Sequence, residues 1–309
     1  MLEFEKPSES KWLVAFKQIQ KCPSSKTKGE KLEIRKLSEF VGAEIVGLDA
    51  GEEISQDTRQ KIYKTWVDHS VLLLRNQNIS PHEFVLFGKQ FGVPIIQTLS
   101  DMNVQDCPEL AYISSEDRDV HGSGKRIIRG TSWHTDHSYA EVPPKATILL
   151  GIDIPDKGGD TEFTSSAAAF EALSKEQRTN LENKFSTHAY QSSRSPRPMA
   201  IRAAEDEKRY PGGVTHPLVR TNPDTGRRSI YVNTVRTECI LDMNREKSDE
   251  LLDKIYAHLD QKKFQYRHKW KPGDIIVWDN RSVLHKANGD YEGKRFLYRM
   301  MIEGEKPAL

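Results

Sequence analysis

In the run Trp133-His134-Thr135-Asp136-His137, an imidazole and a carboxylate stand two positions apart. On an extended segment residues i and i+2 point to one face, so His134 and Asp136 can present both groups to one metal ion. A third donor has to come from elsewhere. His285, closing the β-like run Trp278-Asp279-Asn280-Arg281-Ser282-Val283-Leu284-His285, is the best candidate. Two imidazoles and a carboxylate on one face of an octahedral ion leave three positions open, which suits non-heme Fe(II) oxygen chemistry. Hydrolysis at zinc is the competing chemistry for such donors. His137 should face away from the ion, toward packing or a supporting role.

Many short strands must position these groups. Apolar and alternating runs predict strands over 110–114, 146–152, 161–164, 188–191, 230–233, 264–269, 274–278 and 296–303. Ahead of them, Ser55 is placed to cap a helix running to Asp68, a strand follows over 71–74, and Ser80-Pro81 opens a second helix that Gly92 ends. Helices interrupt the later strands only twice: over 167–173 continuing into 175–183, and over 249–260 behind a Ser248 cap. This order predicts an α+β chain with a closed or sandwiched β core under a few covering helices. Two long polar stretches, 115–130 and 192–213, fit neither element, and loops of that length usually border a site. No repeat or linker divides the chain. One domain is expected over 1–309, with 1–31, including the weakly amphipathic 11–19, as a loosely held lead-in.

Charge and composition remove whole classes of function. Lys and Arg number 46 against 45 Asp and Glu, a net of +1, so no overall field draws the chain to nucleic acid or to an anionic membrane. No run approaches the ~20 apolar residues of a membrane span. The opening MLEFEKPSESKW carries acids where a signal peptide needs a basic and then an apolar stretch, so a cytoplasmic setting is expected. Cys22, Cys107 and Cys239 are odd in number and far apart, which points to buried reduced thiols rather than disulfides or a cysteine zinc site.

Further motifs match a known pattern together with the triad. They are Pro143-Pro144, Gly158-Gly159-Asp160-Thr161, Thr215-His216-Pro217-Leu218-Val219-Arg220, Trp278-Asp279-Asn280-Arg281, and Arg295-Phe296-Leu297-Tyr298-Arg299. From about Val71 to Glu303 the sequence resembles the TauD/TfdA family of Fe(II)/2-oxoglutarate oxygenases. The resemblance implies a double-stranded β-helix, or jelly-roll, core with Fe(II) held by His134, Asp136 and His285. Implied too are 2-oxoglutarate and O₂ as cosubstrates, with hydroxylation of an unactivated C–H and decarboxylation of 2-oxoglutarate to succinate and CO₂. Thr161 and Arg295 match the residues that hold the far carboxylate of 2-oxoglutarate. A guanidinium suits that role, since its planar fork fits a carboxylate where Lys offers a point charge.

Arg299 matches the arginine that faces the substrate's acidic group. On a strand it shares Arg295's face with α-carbons about 13 Å apart, so the two can line one pocket without gripping the same oxygens. A small anionic substrate is therefore implied. Halogenating relatives carry a small residue in place of the metal carboxylate, so Asp136 implies oxygenation. The alternative is a specialised biosynthetic member that desaturates or cyclises an amino-acid-like substrate; a taurine or alkylsulfonate activity ranks lower. The substrate side departs from the taurine enzymes: Gln97 and Ser100 stand where they place His and Tyr, and Gly130 where they place Asn. Arg236 and Tyr190 fall near positions that are often aromatic in the family, and Arg236 offers either a second anion contact or a surface charge. A homo-oligomer is compatible with the sequence.

Overall fold

A computed structural model describes residues 32–96, 103–104, 106–202 and 204–309. The expected lead-in over 1–31, Cys22, Gln97 and Ser100 all lie outside the described residues. Strands β1 (Glu33–Lys36) and β2 (Ala43–Val46) precede helix α1 (Gln56–His69), β3 (Val71–Leu74), α2 (Pro81–Gly88), β4 (Asn103–Val104), β5 (Cys107–Ser114) and β6 (Ala146–Asp153). Next come β7 (Thr161–Ser165), α3 (Ser166–Glu171), α4 (Lys175–Leu181), β8 (Phe185–His188), α5 (Ala204–Arg209) and β9 (Val214–Pro217). After β10 (Val219–Thr221), β11 (Arg228–Ile230) and β12 (Thr237–Ile240), the chain forms α6 (Arg245–Leu259). It ends with β13 (Gln265–His268), β14 (Ile275–Asp279), β15 (Val283–Ala287) and β16 (Phe296–Ile302).

Eight strands form one sheet in the order β1-β2-β3-β14-β6-β16-β5-β4, and the shorter sheets β13-β7-β15, β12-β8-β9 and β10-β11 complete a jelly roll. Covered on both faces, β6 (ATILLGID) and β14 (IIVWD) are buried at almost every position. Their alternate residues divide between two cores. Leu72, Leu74, Ile148, Leu150, Ile275 and Val277 pack outward against Trp66 of α1 and Phe84 and Phe87 of α2. Val71, Leu73, Leu149, Ile276 and Trp278 turn inward to meet Phe163 and Val283. A third cluster gathers Leu218, Val219 and Ile230 with Phe170 of α3 and Leu252 and Ile255 of α6. Helix entry follows local chemistry: Ser55 accepts from the Thr58 N–H, and Ser80 with Glu83 forms a capping box behind Pro81.

Several boundaries differ from the sequence reading. The strand expected over 188–191 lies at Phe185–His188, and the one expected over 230–233 ends at Ile230. There the chain leaves the sheet for a turn in which Asn233 Oδ1 accepts from the Arg236 N–H at 2.9 Å. The last long helix starts at Arg245 with Asn244 as its cap. Ser248 is buried within it and accepts from the Ile240 N–H at 2.8 Å. The second helix stops at Gly88, four residues before Gly92, through a short turn. Strands β1, β2, β9, β10 and β12 and helix α5, which interrupts the 192–213 loop, were not foreseen. Cys107 and Cys239 are free thiols, the first buried and the second half-buried. Among the described residues no helix is long and apolar enough to cross a membrane.

Candidate active site

His134 and His285 face each other in an antiparallel bridge, each backbone N–H donating to the other's carbonyl at 3.0 and 2.8 Å. Such a pair points both side chains to the same face, and the ring centres are 4.2 Å apart. Asp136, two residues beyond His134, places Oδ1 3.9 Å from His134 Nε2 and Oδ2 3.7 Å from His285 Nε2. All three donor atoms lie within 4.8 Å of one another, and all three residues are buried. The set fits a single metal ion, with two nitrogen donors and one oxygen around a common point.

Neighbouring groups prepare the donors. His134 Nδ1 lies 2.8 Å from the Ser132 carbonyl, a contact that puts the proton on Nδ1 and the lone pair on Nε2. Thr147 on β6 donates to Asp136 Oδ2 at 2.7 Å and accepts from Asn280 Nδ2 at 2.9 Å. Asn280 Oδ1 accepts from Trp278 Nε1 at 3.0 Å, whose ring lies 4.5 Å from that of His285. Burial holds the pKa of His134 well below that of a free imidazole and lowers that of His285. Burial alone would raise the Asp136 carboxyl, but His285, His134 and Arg299 together keep it low. Neutral imidazoles beside a carboxylate are the protonation states a metal requires.

Thr161 and Arg295 lie deeper along the roll. The β7–β15 register pairs Thr161 with Ala287 and Phe163 with His285, which puts Thr161 on the same face as His285. Thr161 Oγ1 accepts from Trp270 Nε1 at 2.9 Å, leaving its own O–H to donate. Arg295 is 6% exposed; its Nε donates to the Gly159 carbonyl at 3.1 Å, and the guanidinium lies 5.7 Å from the Tyr291 ring centre. Gly159 has φ +70, and a Cβ there would come within 3.2 Å of Arg295. This turn lets the arginine lie against the backbone.

Arg299 pairs with Leu149 on β6 and shares the inner face with Thr147. Its Nε is buried with no hydrogen-bond partner. Arg236 is 7% exposed and lies over the rings of Tyr139 and Tyr190, with an Nη1 donating to the Tyr190 carbonyl. Tyr190 in turn donates to the Ala200 carbonyl at 2.9 Å, tying the 192–213 loop down. That loop meets the 115–130 loop where Ile201 N–H donates to Asp119 at 3.0 Å. Gly130 ends the 115–130 stretch at φ +73, beside His134, with only 3.2 Å between a would-be Cβ and the ring. His137, at φ +48, packs on Tyr139 and Tyr210 and is not part of the donor group.

The sequence reading missed Thr147, Trp270 and Tyr139. Thr147 had a usable signal, since a hydroxyl on the inner face of an otherwise apolar central strand needs a partner.

A jelly roll carrying two imidazoles and a carboxylate on facing segments defines a mononuclear, non-heme metal enzyme. The family model for taurine catabolism dioxygenase TauD, TfdA family, matches residues 33–301. An alpha-ketoglutarate-dependent sulfonate dioxygenase of Saccharomyces cerevisiae is 31% identical over 287 residues, covering 90% of this chain and 68% of its own. Pentalenolactone F synthase of Streptomyces arenae is 29% identical over 274 residues, covering 85% of this chain and 91% of its own. The crystal structure of a taurine dioxygenase from Burkholderia xenovorans superposes with a TM-score of 0.77 at 30% identity, over 90% of this chain and 91% of that one. The chain belongs to the TauD/TfdA family and is a dioxygenase that uses Fe(II), 2-oxoglutarate (α-ketoglutarate) and O₂.

Proposed function

We propose that His134, Asp136 and His285 hold the iron, that Thr161 and Arg295 hold the far carboxylate of 2-oxoglutarate, and that Arg299 receives a small anionic organic substrate for hydroxylation. The observation that carries this reading is the convergence of three donor atoms within 4.8 Å from segments about 150 residues apart. Bound ferrous iron supplies the oxidising chemistry, and the protein supplies placement and dryness.

Each residue has a defined task. Ser132 fixes the His134 tautomer, and Thr147 with Asn280 holds the Asp136 carboxylate in one orientation. Trp278 and Phe163 wall the His285 ring and keep water from it. Arg295, desolvated and with Nε already satisfied by Gly159, keeps its terminal N–H groups for a carboxylate, beside the O–H of Thr161. Arg299 orients the substrate's acid so that a C–H faces the metal side of the chamber. A cytosolic setting agrees with the free thiols Cys107 and Cys239.

Among the relatives are dioxygenases named for a sulfonate and for (S)-phenoxypropionate, so the substrate is to be sought among small organic acids. The test loads the protein with Fe(II) without oxygen, adds 2-oxoglutarate and a panel of sulfonates, carboxylates and amino acids, and then admits O₂. The expected result is substrate-dependent succinate release, abolished in His134→Ala, Asp136→Ala and His285→Ala together with loss of bound metal. Full turnover in any of the three would overturn the assignment.

A further inference from the structure

Beside the donor group the structure gathers one buried arginine, Arg236, and three half-buried ones, Arg299, Arg197 and Arg202. Arg299 comes from the eight-stranded sheet, Arg236 from the turn entering β12 of a different sheet, and Arg197 and Arg202 from the 192–213 loop. The Nε atoms of Arg299, Arg236 and Arg197 are each buried with no hydrogen-bond partner. Arg299 and Arg236 both lie within electrostatic reach of Asp136 and His137. Arg236 and Arg202 share two aromatic rings: the guanidinium carbon of Arg236 is 4.7 Å from the Tyr139 centre and 4.8 Å from that of Tyr190, while that of Arg202 is at 5.7 and 4.2 Å.

Among the described residues, the carboxylates that feel these arginines are engaged elsewhere. Asp117 is paired with Arg129 at 3.2 Å, and Asp136 faces the two imidazoles. Cation–π contact with Tyr139 and Tyr190 offsets only part of the cost of burying guanidinium groups. Burial pushes the pKa of Arg236 and Arg197 down, as expected of cations without an anionic partner. A surface charge, one reading of Arg236 from the sequence, does not describe a residue that is 7% exposed. What such a group lacks is an anion.

We propose that Arg236, backed by Arg197 and Arg202 and framed by Tyr139 and Tyr190, is a second anion seat, and that the organic substrate is a dianion. One acidic group sits on Arg299 and the other on Arg236, with the oxidised carbon between them. The inference rests on the dioxygenase reading above for the role of Arg299. It narrows the substrate class from organic acids in general to those with two acidic groups, such as a sulfocarboxylate.

Isothermal titration tests this with 3-sulfopropanoate, 4-sulfobutanoate and 4-sulfobenzoate, each against the two monoacids of the same carbon frame. Saturating Mn(II) and 2-oxoglutarate fill the neighbouring sites first, and the series is repeated with neither present. At least one diacid is expected to bind about tenfold tighter than both of its monoacids, the gain from one further charge-assisted contact. Arg236→Phe should erase that advantage and leave monoacid binding near wild type, while Arg236→Lys should keep part of it. Monoacids that bind as well as every diacid to the wild type would overturn the proposal without any variant, and so would an advantage that survives in Arg236→Phe. Failure of the wild type to bind 2-oxoglutarate would instead sink the reading of Arg295, and the series without it would still judge the seat.

Discussion

Two arginines, Arg295 just before β16 and Arg299 on it, carry separate expected phenotypes. Arg295 is fixed by the Gly159 carbonyl beside Thr161, whereas Arg299 lies level with Leu149, one inward position from Thr147 and the metal carboxylate it holds. Arg295→Ala should raise the 2-oxoglutarate requirement by tenfold or more while metal binding persists, since a charged hydrogen bond is worth about 1.5–3 kcal/mol. Arg299→Ala should weaken the organic substrate instead. Titrating each ligand against both variants decides it, and swapped phenotypes would reverse the two roles. Behind the donors, Thr147→Val keeps the shape but removes the hydroxyl between Asp136 and Asn280. Metal affinity should then fall about 10–100-fold. Stability should fall by about 1–3 kcal/mol, because the Asn280 amide is left unsatisfied. A metal titration and a urea melt read the two effects separately. His134 and Asp136 were legible as a pair because period two is written into His134-Thr135-Asp136. His285 lies about 150 residues away and could be offered only as a candidate, and the roles proposed for Arg295 and Arg299 came from the family resemblance. Thr147 and Arg202 were not legible. Their partners lie across the sheet or on a long loop, and no periodicity records a contact of that kind.

Among the elements, the turn before β7 sets how Thr161 and Arg295, the residues proposed to hold 2-oxoglutarate, are placed. Gly158 has φ +74, and a Cβ there would stand 2.2 Å from the Asp290 carbonyl oxygen. Gly159 N–H donates to Asp290 Oδ1 at 3.0 Å, and Arg267 joins Asp160 to Asp290 at 2.6 and 3.3 Å. The turn therefore clamps the segment that leads into Arg295. Gly293 supplies the control: it has φ +86, with nothing within 4 Å of its Cβ position. Gly293→Ala should cost only the left-handed backbone term, about 1–2 kcal/mol. Gly158→Ala should cost clearly more and also raise the 2-oxoglutarate requirement, because backbone must move under Thr161 and Arg295. Equal urea midpoints for the two variants would show that the clamp has no energetic role. Strands β3, β6 and β14 were legible because they are almost wholly apolar, while β9, β10 and β12 are three or four residues of mixed polarity. The start of α6 was misread for a related reason. Its apolar stripe of Leu252, Ile255 and Leu259 begins about two turns after the helix does, so the polar opening behind Asn244 looked like loop.

Across the whole molecule, the interior that keeps the site dry also stores acid sensitivity. His188 and His216 are buried with ring centres 5.2 Å apart, and His188 shares a hydroxyl network with Ser186, Ser138 and Asn233. His216 is bound to the Ala140 carbonyl at 3.0 Å, and burial pushes its pKa down to about 4 from an ordinary 6.5. His188 too is held well below the ordinary value, again by burial and by its neighbour His216. A folded pKa below the unfolded one means that the unfolded chain binds more protons between the two values, so stability is lost as pH falls through that window. For His216 the loss begins near pH 6.5 and reaches about 2 kcal/mol by pH 5, at about 1.4 kcal/mol per pH unit. Above pH 7 it contributes no slope. Metal-free protein should therefore show a flat urea midpoint from pH 8 to 7 and a steep fall from 6.5 to 5, ahead of the range where ordinary carboxylates titrate. His216→Gln keeps an amide N–H for Ala140 but cannot take up the proton, so it should remove about that 2 kcal/mol of difference between pH 7 and pH 5. A His216→Gln profile parallel to the wild type across that window would assign the acid lability to other groups.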